Sequence, residues 1–399
     1  GINSGWMTQV SDILTEEVNM QQDFDGDGYI GWTPVSIEGK AYQFSPGGDG
    51  AISAPLQLEF GNTTYNEGFA GSLLDVNQPY TYANGLVTNS NGGEIRLTFT
   101  SATEGTFEYW HEGLELDSVG IFIQVTPSLE QKTDWQRTEN FDSPLSNDYW
   151  QVWRRSVDSL ASNPGELNFL FADGGEGDYP EIEVPYGRTL PMDEDWQIVL
   201  DDAYAISTLN NFEIEFYLDL EKFKIAFAFA DYGSDGSGAR EVNVWLEQQD
   251  VSGALTTASA YVSANEDPRI QSDVSLRITH NANSRELVFG YQPGEASTWT
   301  ELARLNLETG VFTSSYLSNG EGFNGQLISS SERLPLEIIA EAGESTQTGD
   351  LSIAGIEIGS YTPPPASLAG KSYVLTALTG ELKSVPDQVT FTTEPTSFD

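Results

Sequence analysis

The chain has 399 residues, 38% hydrophobic and 12% aromatic, which is enough for two or three domains with buried cores. Its 61 acidic and 17 basic residues give a net charge of −44, which argues against nucleic acid and anionic membranes as partners. Cysteine is absent and the only histidines are His111 and His280, which excludes thiolate chemistry and argues against a multi-histidine zinc site or a Ser-His-Asp triad.

The first segment, residues 1–34, is predicted to contain a helix that leads into a metal-binding loop. Apolar residues recur there at helical spacing, and a serine is placed to cap the helix; these residues are Trp6, Val10, Ile13, Leu14 and Val18, with Ser11 as the cap.

The loop after this helix has the alternating carboxylates of a calcium site. Asp23, Asp25 and Asp27 occupy loop positions one, three and five, Gly28 permits the sharp bend, and the Tyr29 carbonyl is placed as a further ligand. Three aspartates within five residues repel one another unless a cation binds between them. The sequence therefore predicts a structural Ca²⁺ site, with a merely acidic turn as the alternative.

This stretch resembles the EF-hand-like loops of dockerins and of large exported bacterial surface proteins. It departs from the EF-hand at position twelve, where Pro34 replaces the bidentate glutamate. The last ligand is therefore expected to be water or a carboxylate from elsewhere, with Glu16, Glu17 and Glu38 as the nearest candidates.

Residues 35–132 are predicted to form a small β module, either a sandwich or a barrel. Apolar and polar residues alternate over 95–100, a second strand is predicted at 105–109, and Asn91-Gly92-Gly93 marks a turn.

Residues 133–361 are predicted to form a larger sandwich of two antiparallel sheets. Apolar residues alternate with polar ones in several segments, which is typical of strands with one buried face. The clearest of these segments are 212–220, 223–229, 274–278 and 287–291.

This large domain resembles the concanavalin A-like sandwiches of lectins and glucanases. The resemblance is carried by its strands and aromatic residues, notably in 141–150, 276–280, 287–291 and 298–302. It implies a jelly-roll sandwich and a saccharide as the class of ligand.

Family 16 glycoside hydrolases, which share this type of sandwich, carry a Glu-x-Asp-x-Glu motif on one strand face. The most similar stretch in this chain runs through Glu213, Glu215, Tyr217, Asp219 and Glu221, which all point to one side of a strand. When Asp219 and Glu221 are aligned with the end of the motif, Tyr217 falls where the nucleophile belongs, so retaining hydrolysis by this route is not expected. The protein is therefore predicted not to be an enzyme, and this face is predicted to be a solvated acidic surface.

Five tryptophans are candidates for stacking on sugar rings, with packing inside the sandwich as the alternative role for each. They are Trp150, Trp153, Trp196, Trp245 and Trp299.

Residues 362–399 are predicted to be a proline linker followed by an incomplete second copy of the 35–132 module. Residues 368–391 align with 37–60 at a constant offset, with seven identities in 24 ungapped positions that include Tyr42 with Tyr373. Coincidence between two hairpins is the alternative. The repeat predicts either that the chain comes from a longer repeat protein or that its last strands pair with another subunit.

The sequence as a whole predicts a non-catalytic structural or adhesive module of an extracellular or cell-surface protein, stabilised by calcium. It is expected to associate with itself in a fibre or biofilm matrix, without membrane insertion, since no apolar run is long enough to cross a bilayer. The alternatives are a carbohydrate-binding module for an extracellular polysaccharide and, less favoured, a glycoside hydrolase. A halophilic cytosol is the competing explanation of the acidic surface.

Overall fold

The structure is a computed structural model, and the chain divides into two units, Gly1–Tyr361 and Thr362–Asp399. The residues that it describes are 29–30, 33–34, 36–47, 51–53, 55–89, 92–111, 115–154, 159–171, 181–205, 212–220, 223–231, 240–249, 254–294, 296–319, 323, 325–342, 349–362, 372–374 and 388–390. Among them no α-helix occurs. The all-β class predicted from the sequence is therefore confirmed for the described residues.

Strands are numbered in chain order. In the first unit they are β1 (Tyr29–Ile30), β2 (Thr33–Pro34), β3 (Ala41–Gly47), β4 (Ala51–Ile52), β5 (Leu56–Phe60), β6 (Thr64–Phe69), β7 (Ser72–Ala83), β8 (Leu86–Asn89), β9 (Glu94–Ser101), β10 (Glu104–His111), β11 (Glu115–Val125), β12 (Arg137–Glu139), β13 (Trp153–Arg154), β14 (Ser159–Asn163), β15 (Glu166–Phe171), β16 (Glu181–Pro185), β17 (Leu190–Pro191), β18 (Trp196–Ala205), β19 (Phe212–Leu220), β20 (Phe223–Asp231), β21 (Glu241–Gln249), β22 (Leu255–Ser263), β23 (Val274–Asn281), β24 (Glu286–Pro293), β25 (Thr300–Asn306), β26 (Phe312–Ser314), β27 (Leu317–Asn319), β28 (Arg333–Leu334), β29 (Glu337–Ala342), β30 (Gly349–Ile353) and β31 (Gly355–Ser360). A 3₁₀ turn spans Pro268–Gln271. The second unit contains β32 (Ser372–Val374) and β33 (Gln388–Thr390), which pair with each other.

Eight antiparallel strands close into a barrel. Their order is β3-β5-β6-β7-β8-β9-β10-β11, and β11 pairs back onto β3. Apart from β4, which leaves the barrel, neighbouring strands in space are also neighbours along the chain. Closure removes the open sheet edges that would otherwise pair with other chains. Of the two forms predicted for the small β module, the structure has the barrel.

Aromatic side chains fill much of the barrel interior. The ring of Phe122 lies 5.5 Å from Tyr42 and 4.9 Å from Phe99, in both cases edge to face. Gly105 provides the space for this packing, because a Cβ at that position would lie 2.7 Å from the Phe122 ring. An eight-stranded barrel is just wide enough to be filled by side chains or to hold one small ligand.

The larger domain has two facing antiparallel sheets. One contains nine strands in the order β27-β22-β21-β20-β19-β29-β16-β13-β4. The other follows the order β14-β15-β30-β18-β23-β24-β25-β26, with β31 pairing to both β12 and β18. Their inner faces form one core, in which Phe227 of β20 lies 5.5 Å from Phe289 of β24. The predicted sandwich is thus present as two stacked sheets.

Barrel and sandwich are joined by both backbone pairing and packing. β4, from the segment between the first two barrel strands, pairs with β13 of the nine-stranded sheet, placing Ile52 opposite Trp153. Phe69 at the end of β6 is fully buried and packs on Gly187, where a Cβ would lie 2.9 Å from its ring. The mouth of the barrel is therefore held against the edge of the sandwich.

The predicted helix and much of the predicted C-terminal repeat lie outside the described residues. Tyr29 is described only as part of β1, which pairs antiparallel with β2. Within the described residues no helix is long and apolar enough to cross a bilayer.

Candidate functional site

The outer face of the nine-stranded sheet carries a regular array of side chains. Because alternate residues of each strand face the core, the remaining residues line up in rows across neighbouring strands. From β16 to β22 the rows are Glu181, Glu341, Glu213, Ala230, Glu241 and Ser263; then Glu183, Ile339, Glu215, Ala228, Asn243 and Tyr261; then Pro185, Glu337, Tyr217, Ala226, Trp245 and Ser259. Strands are about 4.8 Å apart and rows about 6.7 Å apart in such a sheet.

The short side chain of Ala226 on β20 lies at the floor of a groove on this face, called here the trough. Ala226 lies between Tyr217 on β19 and Trp245 on β21, so that an aromatic residue stands on either side of it. The trough has a volume of about 450 Å³ and is also lined by Glu215 and Asn243. It thus combines apolar rings with carboxylate and amide groups, which together suit a ligand with both apolar faces and hydroxyl groups.

Glu215 lies in the middle of the array and is only 9% exposed. Burial raises the pKa of its carboxyl group well above the ordinary value, and the charges of Glu213 and Glu341 raise it further. The charges of Glu181 and Glu337 act in the same direction. The raised pKa favours the protonated form of Glu215, and a protonated carboxyl group has a hydrogen to donate to a ligand.

The predicted solvated surface is wrong for the centre of this face. A lone strand with alternating glutamates looks solvated in sequence, but Glu215 has β29 on one side and β20 on the other, where Ile339 and Ala228 are its direct neighbours. The alternation within β29 places Glu337 and Glu341 on the same face, a contribution that the sequence pattern of β19 alone does not reveal.

The stretch compared with the glycosidase motif is only partly described. Tyr217 lies in the trough, next to Glu337 of β29 and Ala226 of β20 in the register. The side chain of Asp219 and the whole of Glu221 lie outside the described residues. The residue that does stand out chemically is Glu215, two positions before Tyr217 on the same face.

The five candidate tryptophans divide between core and surface. Trp150 and Trp196 are fully buried, so they belong to the packing of the sandwich. Trp299 directly precedes β25 of the other sheet. The guanidinium carbon of Arg277 lies 4.4 Å from the centroid of the Trp299 ring. Trp245 is 37% exposed in the trough.

The remaining candidate, Trp153, lines a second cavity near the barrel.

Of the two histidines, His280 is fully buried, donates a hydrogen bond from Nδ1 to the Glu194 carbonyl at 2.8 Å, and stacks on Trp196. Burial lowers the pKa of His280 to about 4. The His280 imidazole is therefore neutral and structural, and the side chain of His111 lies outside the described residues.

The predicted calcium ligands Asp23, Asp25 and Asp27 lie outside the described residues, and nothing tests their arrangement. Pro34, at loop position twelve, accepts a hydrogen bond at its carbonyl from the Tyr82 hydroxyl at 2.7 Å. Among the described residues no group of three or more His, Asp or Glu side chains is arranged to hold a metal ion.

No protein-family profile matches the chain, and no curated protein matches it. Solved structures similar to it include a legume lectin-like domain from Entamoeba histolytica, with 8% identity, a TM-score of 0.34, and coverage of 54% of this chain and 91% of the other. A family 16 glycoside hydrolase from Bacteroides ovatus, in complex with a mixed-linkage glucan product, has 10% identity, a TM-score of 0.39, and coverage of 56% and 99%. The exoplasmic domain of VIP36, in a form bound to Ca²⁺ and Man3GlcNAc, has 10% identity, a TM-score of 0.34, and coverage of 60% and 93%. Similarities this weak carry no information about activity in this chain.

Proposed function

We propose that this protein is an extracellular polysaccharide-binding protein that holds a neutral or positively charged glycan along the trough. The observation that carries the proposal is the alanine floor between two aromatic residues, Tyr217 and Trp245, with carboxylate and amide groups beside it. Sugar rings stack on aromatic side chains through their C–H faces while their hydroxyl groups donate to carboxylates.

The charge of the array restricts the glycan. Seven glutamates lie in the three rows of this face, namely Glu181, Glu183, Glu213, Glu215, Glu241, Glu337 and Glu341. An anionic polysaccharide would bring more negative charge to a surface that already repels it. Sulfated and uronic acid-rich glycans are therefore excluded from the proposal unless cations bridge them.

The test is calorimetric titration of the full chain with a neutral β-glucan, with chitosan oligosaccharide and with a sulfated galactan. We expect binding of one of the first two and none of the third, and at least a tenfold loss of affinity in Trp245→Ala. Trp299→Ala is the matched control, since Trp299 lies against Arg277 outside the trough. Equal losses in both variants, or preferential binding of the sulfated glycan, would refute the proposal.

Hydrolysis of the bound glycan is a second candidate function, favoured by the raised pKa of Glu215. A carboxyl group with a raised pKa is what a glycosidase uses to protonate the leaving oxygen. Binding without cleavage is our primary proposal. Reducing ends released by the full chain and abolished in Glu215→Gln, with binding retained, would establish the second candidate in its place.

We also propose that the protein has a structural or adhesive role, at the cell surface or in an extracellular matrix. The net charge of −44 supports it, because such a surface is stabilised where salt and calcium screen it. Self-association through residues 363–399 belongs to the same proposal. Electron microscopy of the full chain with calcium, compared with a chain lacking these residues, tests it: polymers that persist after the deletion would contradict it.

A further inference from the structure

A second cavity, of about 740 Å³, lies where the mouth of the barrel meets the edge of the sandwich. Its volume is within the range of sites that enclose small organic ligands, roughly 300–1,000 Å³. On the barrel side its lining includes Tyr65, Phe107 and Tyr109, together with the cross-strand neighbours Glu67 and Asp75. We call it the barrel-mouth cavity.

The sandwich wall of this cavity belongs to the same outer sheet face as the trough. Beyond Tyr217, the third row of that face continues through Glu337 of β29 and Pro185 of β16. Gln151 extends the row, since its backbone N–H donates to the Pro185 carbonyl at 3.1 Å. All four of these residues line the barrel-mouth cavity. The two cavities are therefore neighbouring parts of one surface.

The second row of the face leads to a tryptophan at the barrel end. Trp153 of β13 lies opposite Glu183 on one side and Ile52 of β4 on the other, and all three line the cavity. Trp153 is half-buried. In the strand order of the sheet, β13 is five strands from β21, which places Trp153 roughly 24 Å from Trp245 at about 4.8 Å per strand.

Tyr217 connects the trough to the barrel-mouth cavity because it lines both. Beyond it, the carboxylates of Glu183 and Glu337 and the amide of Gln151 lie in the same wall as the Trp153 ring. This is the combination found in the trough, with an aromatic ring that can stack on a sugar and polar groups that can accept from hydroxyls. A single sugar ring would occupy one of the two cavities, whereas a chain of linked rings can contact both.

We propose that the barrel-mouth cavity is a second sugar-binding subsite, contiguous with the trough through Tyr217 and with Trp153 as its stacking residue. This inference rests on the proposed polysaccharide-binding function and extends it. The preferred ligand is a chain of several linked sugar rings that runs across the strands from Trp245 to Trp153. The barrel supplies one wall of the subsite and so takes part in recognising the glycan.

The experiment uses the full chain and hexamers of β-1,4-linked glucose, β-1,3-linked glucose and β-1,4-linked glucosamine, each beside its trimer. Calorimetric titrations are run at physiological ionic strength, where nonspecific attraction to the acidic surface is screened. We expect at least one hexamer to bind at least tenfold more tightly than its trimer, because the trimer covers the trough and falls short of Trp153.

Trp153→Ala should lower the affinity for that hexamer at least tenfold, to about the affinity of the trimer, and leave trimer binding within twofold. Trp245→Ala should weaken both. The matched control is Trp110→Ala, since Trp110 is a half-buried barrel tryptophan that packs against Arg96 outside both cavities. Hydroxyl-radical footprinting of the unaltered chain adds a readout that needs no variant to fold: the hexamer should protect Trp153 and Trp245 from oxidation, and the trimer Trp245 alone.

The outcomes separate this inference from the function on which it rests. A hexamer that loses affinity in Trp245→Ala but not in Trp153→Ala, and leaves Trp153 unprotected, would overturn the second subsite while the trough remained a glycan site. Hexamers that bind no better than their trimers, or equal losses in Trp153→Ala and Trp110→Ala, would overturn it as well. Failure of all three hexamers to bind would overturn both proposals.

Discussion

Tyr373 lies opposite Val389 in the two-stranded sheet of the second unit, in the same register that places Tyr42 opposite Leu58 in the barrel. The offset between the two pairs is the one at which the sequences align. The correspondence extends to the neighbouring pairs of β32 and β33, which match those of β3 and β5. The two strands that the structure describes in the second unit thus have the pairing of the first barrel hairpin.

This correspondence predicts that the two hairpins are interchangeable. Replacing residues 41–59 by residues 372–390 should yield a chain that still closes the barrel, because Tyr373 and Gln388 retain the buried Tyr42 and Gln57. Circular dichroism and thermal unfolding of the chimera measure this. A scrambled sequence of the same composition is the control. A chimera no better folded than the scrambled chain would mean that the similarity is coincidental.

The floor of the trough offers a test that leaves the core unchanged. Ala226→Leu places a larger side chain between Tyr217 and Trp245, where the proposed sugar ring would lie. We expect glycan affinity to fall at least tenfold with little change in melting temperature, since the added atoms project away from the core. Thr257→Leu, on an exposed position of β22 outside the trough, is the control. An unaltered affinity in Ala226→Leu would place the glycan elsewhere.

Glu67 predicts a specific pH dependence of stability. Its carboxyl group titrates at about 7 in the folded chain and near 4.5 when unfolded, so between these values the folded state holds a proton that the unfolded state has lost. Its contribution to stability is therefore complete below about pH 4.5 and is lost as the pH rises through 7, by roughly 3 kcal/mol at most. Urea unfolding at pH 5 and pH 8 should show a smaller loss in Glu67→Gln than in the unaltered chain. Parallel losses in the two proteins would contradict the assignment, and Asp75 would then be the group to examine.

The contact between Phe69 and Gly187 predicts that the interface between barrel and sandwich has no space for an added methyl group at this position. Gly187→Ala adds a methyl group 2.9 Å from the Phe69 ring and 3.1 Å from the Tyr149 carbonyl. Overpacking of this kind costs about 1–3 kcal/mol. Gly47→Ala is the control, since its added Cβ would be 3.9 Å from the nearest atom. The denaturant midpoint should fall in Gly187→Ala and not in Gly47→Ala. Equal midpoints in the two variants would show that barrel and sandwich are loosely packed at this contact.

Calcium removal tests the predicted loop at Asp23, Asp25 and Asp27. A ligand that binds only the folded state stabilises it by about 2.7 kcal/mol at a hundredfold excess over the dissociation constant. Excess chelator should therefore lower the melting temperature, and a variant with all three aspartates changed to asparagine should no longer respond. A melting curve that chelator leaves unchanged would exclude a structural calcium site here.

The amino-acid sequence alone determined the class of local structure, because alternation with period two depends on neighbouring residues only. The run from Phe212 to Leu220 could be assigned as a strand with one buried face from that pattern, and the pairing of Tyr42 with Tyr373 in the alignment anticipated a shared hairpin. What lies beside a given strand is decided by pairing between distant segments. Tertiary structure alone placed β29 next to β19 and thereby buried Glu215 among other carboxylates. It also closed the barrel and set Glu67 beside Asp75 at its mouth, since register, closure and burial depend on contacts that no local pattern encodes.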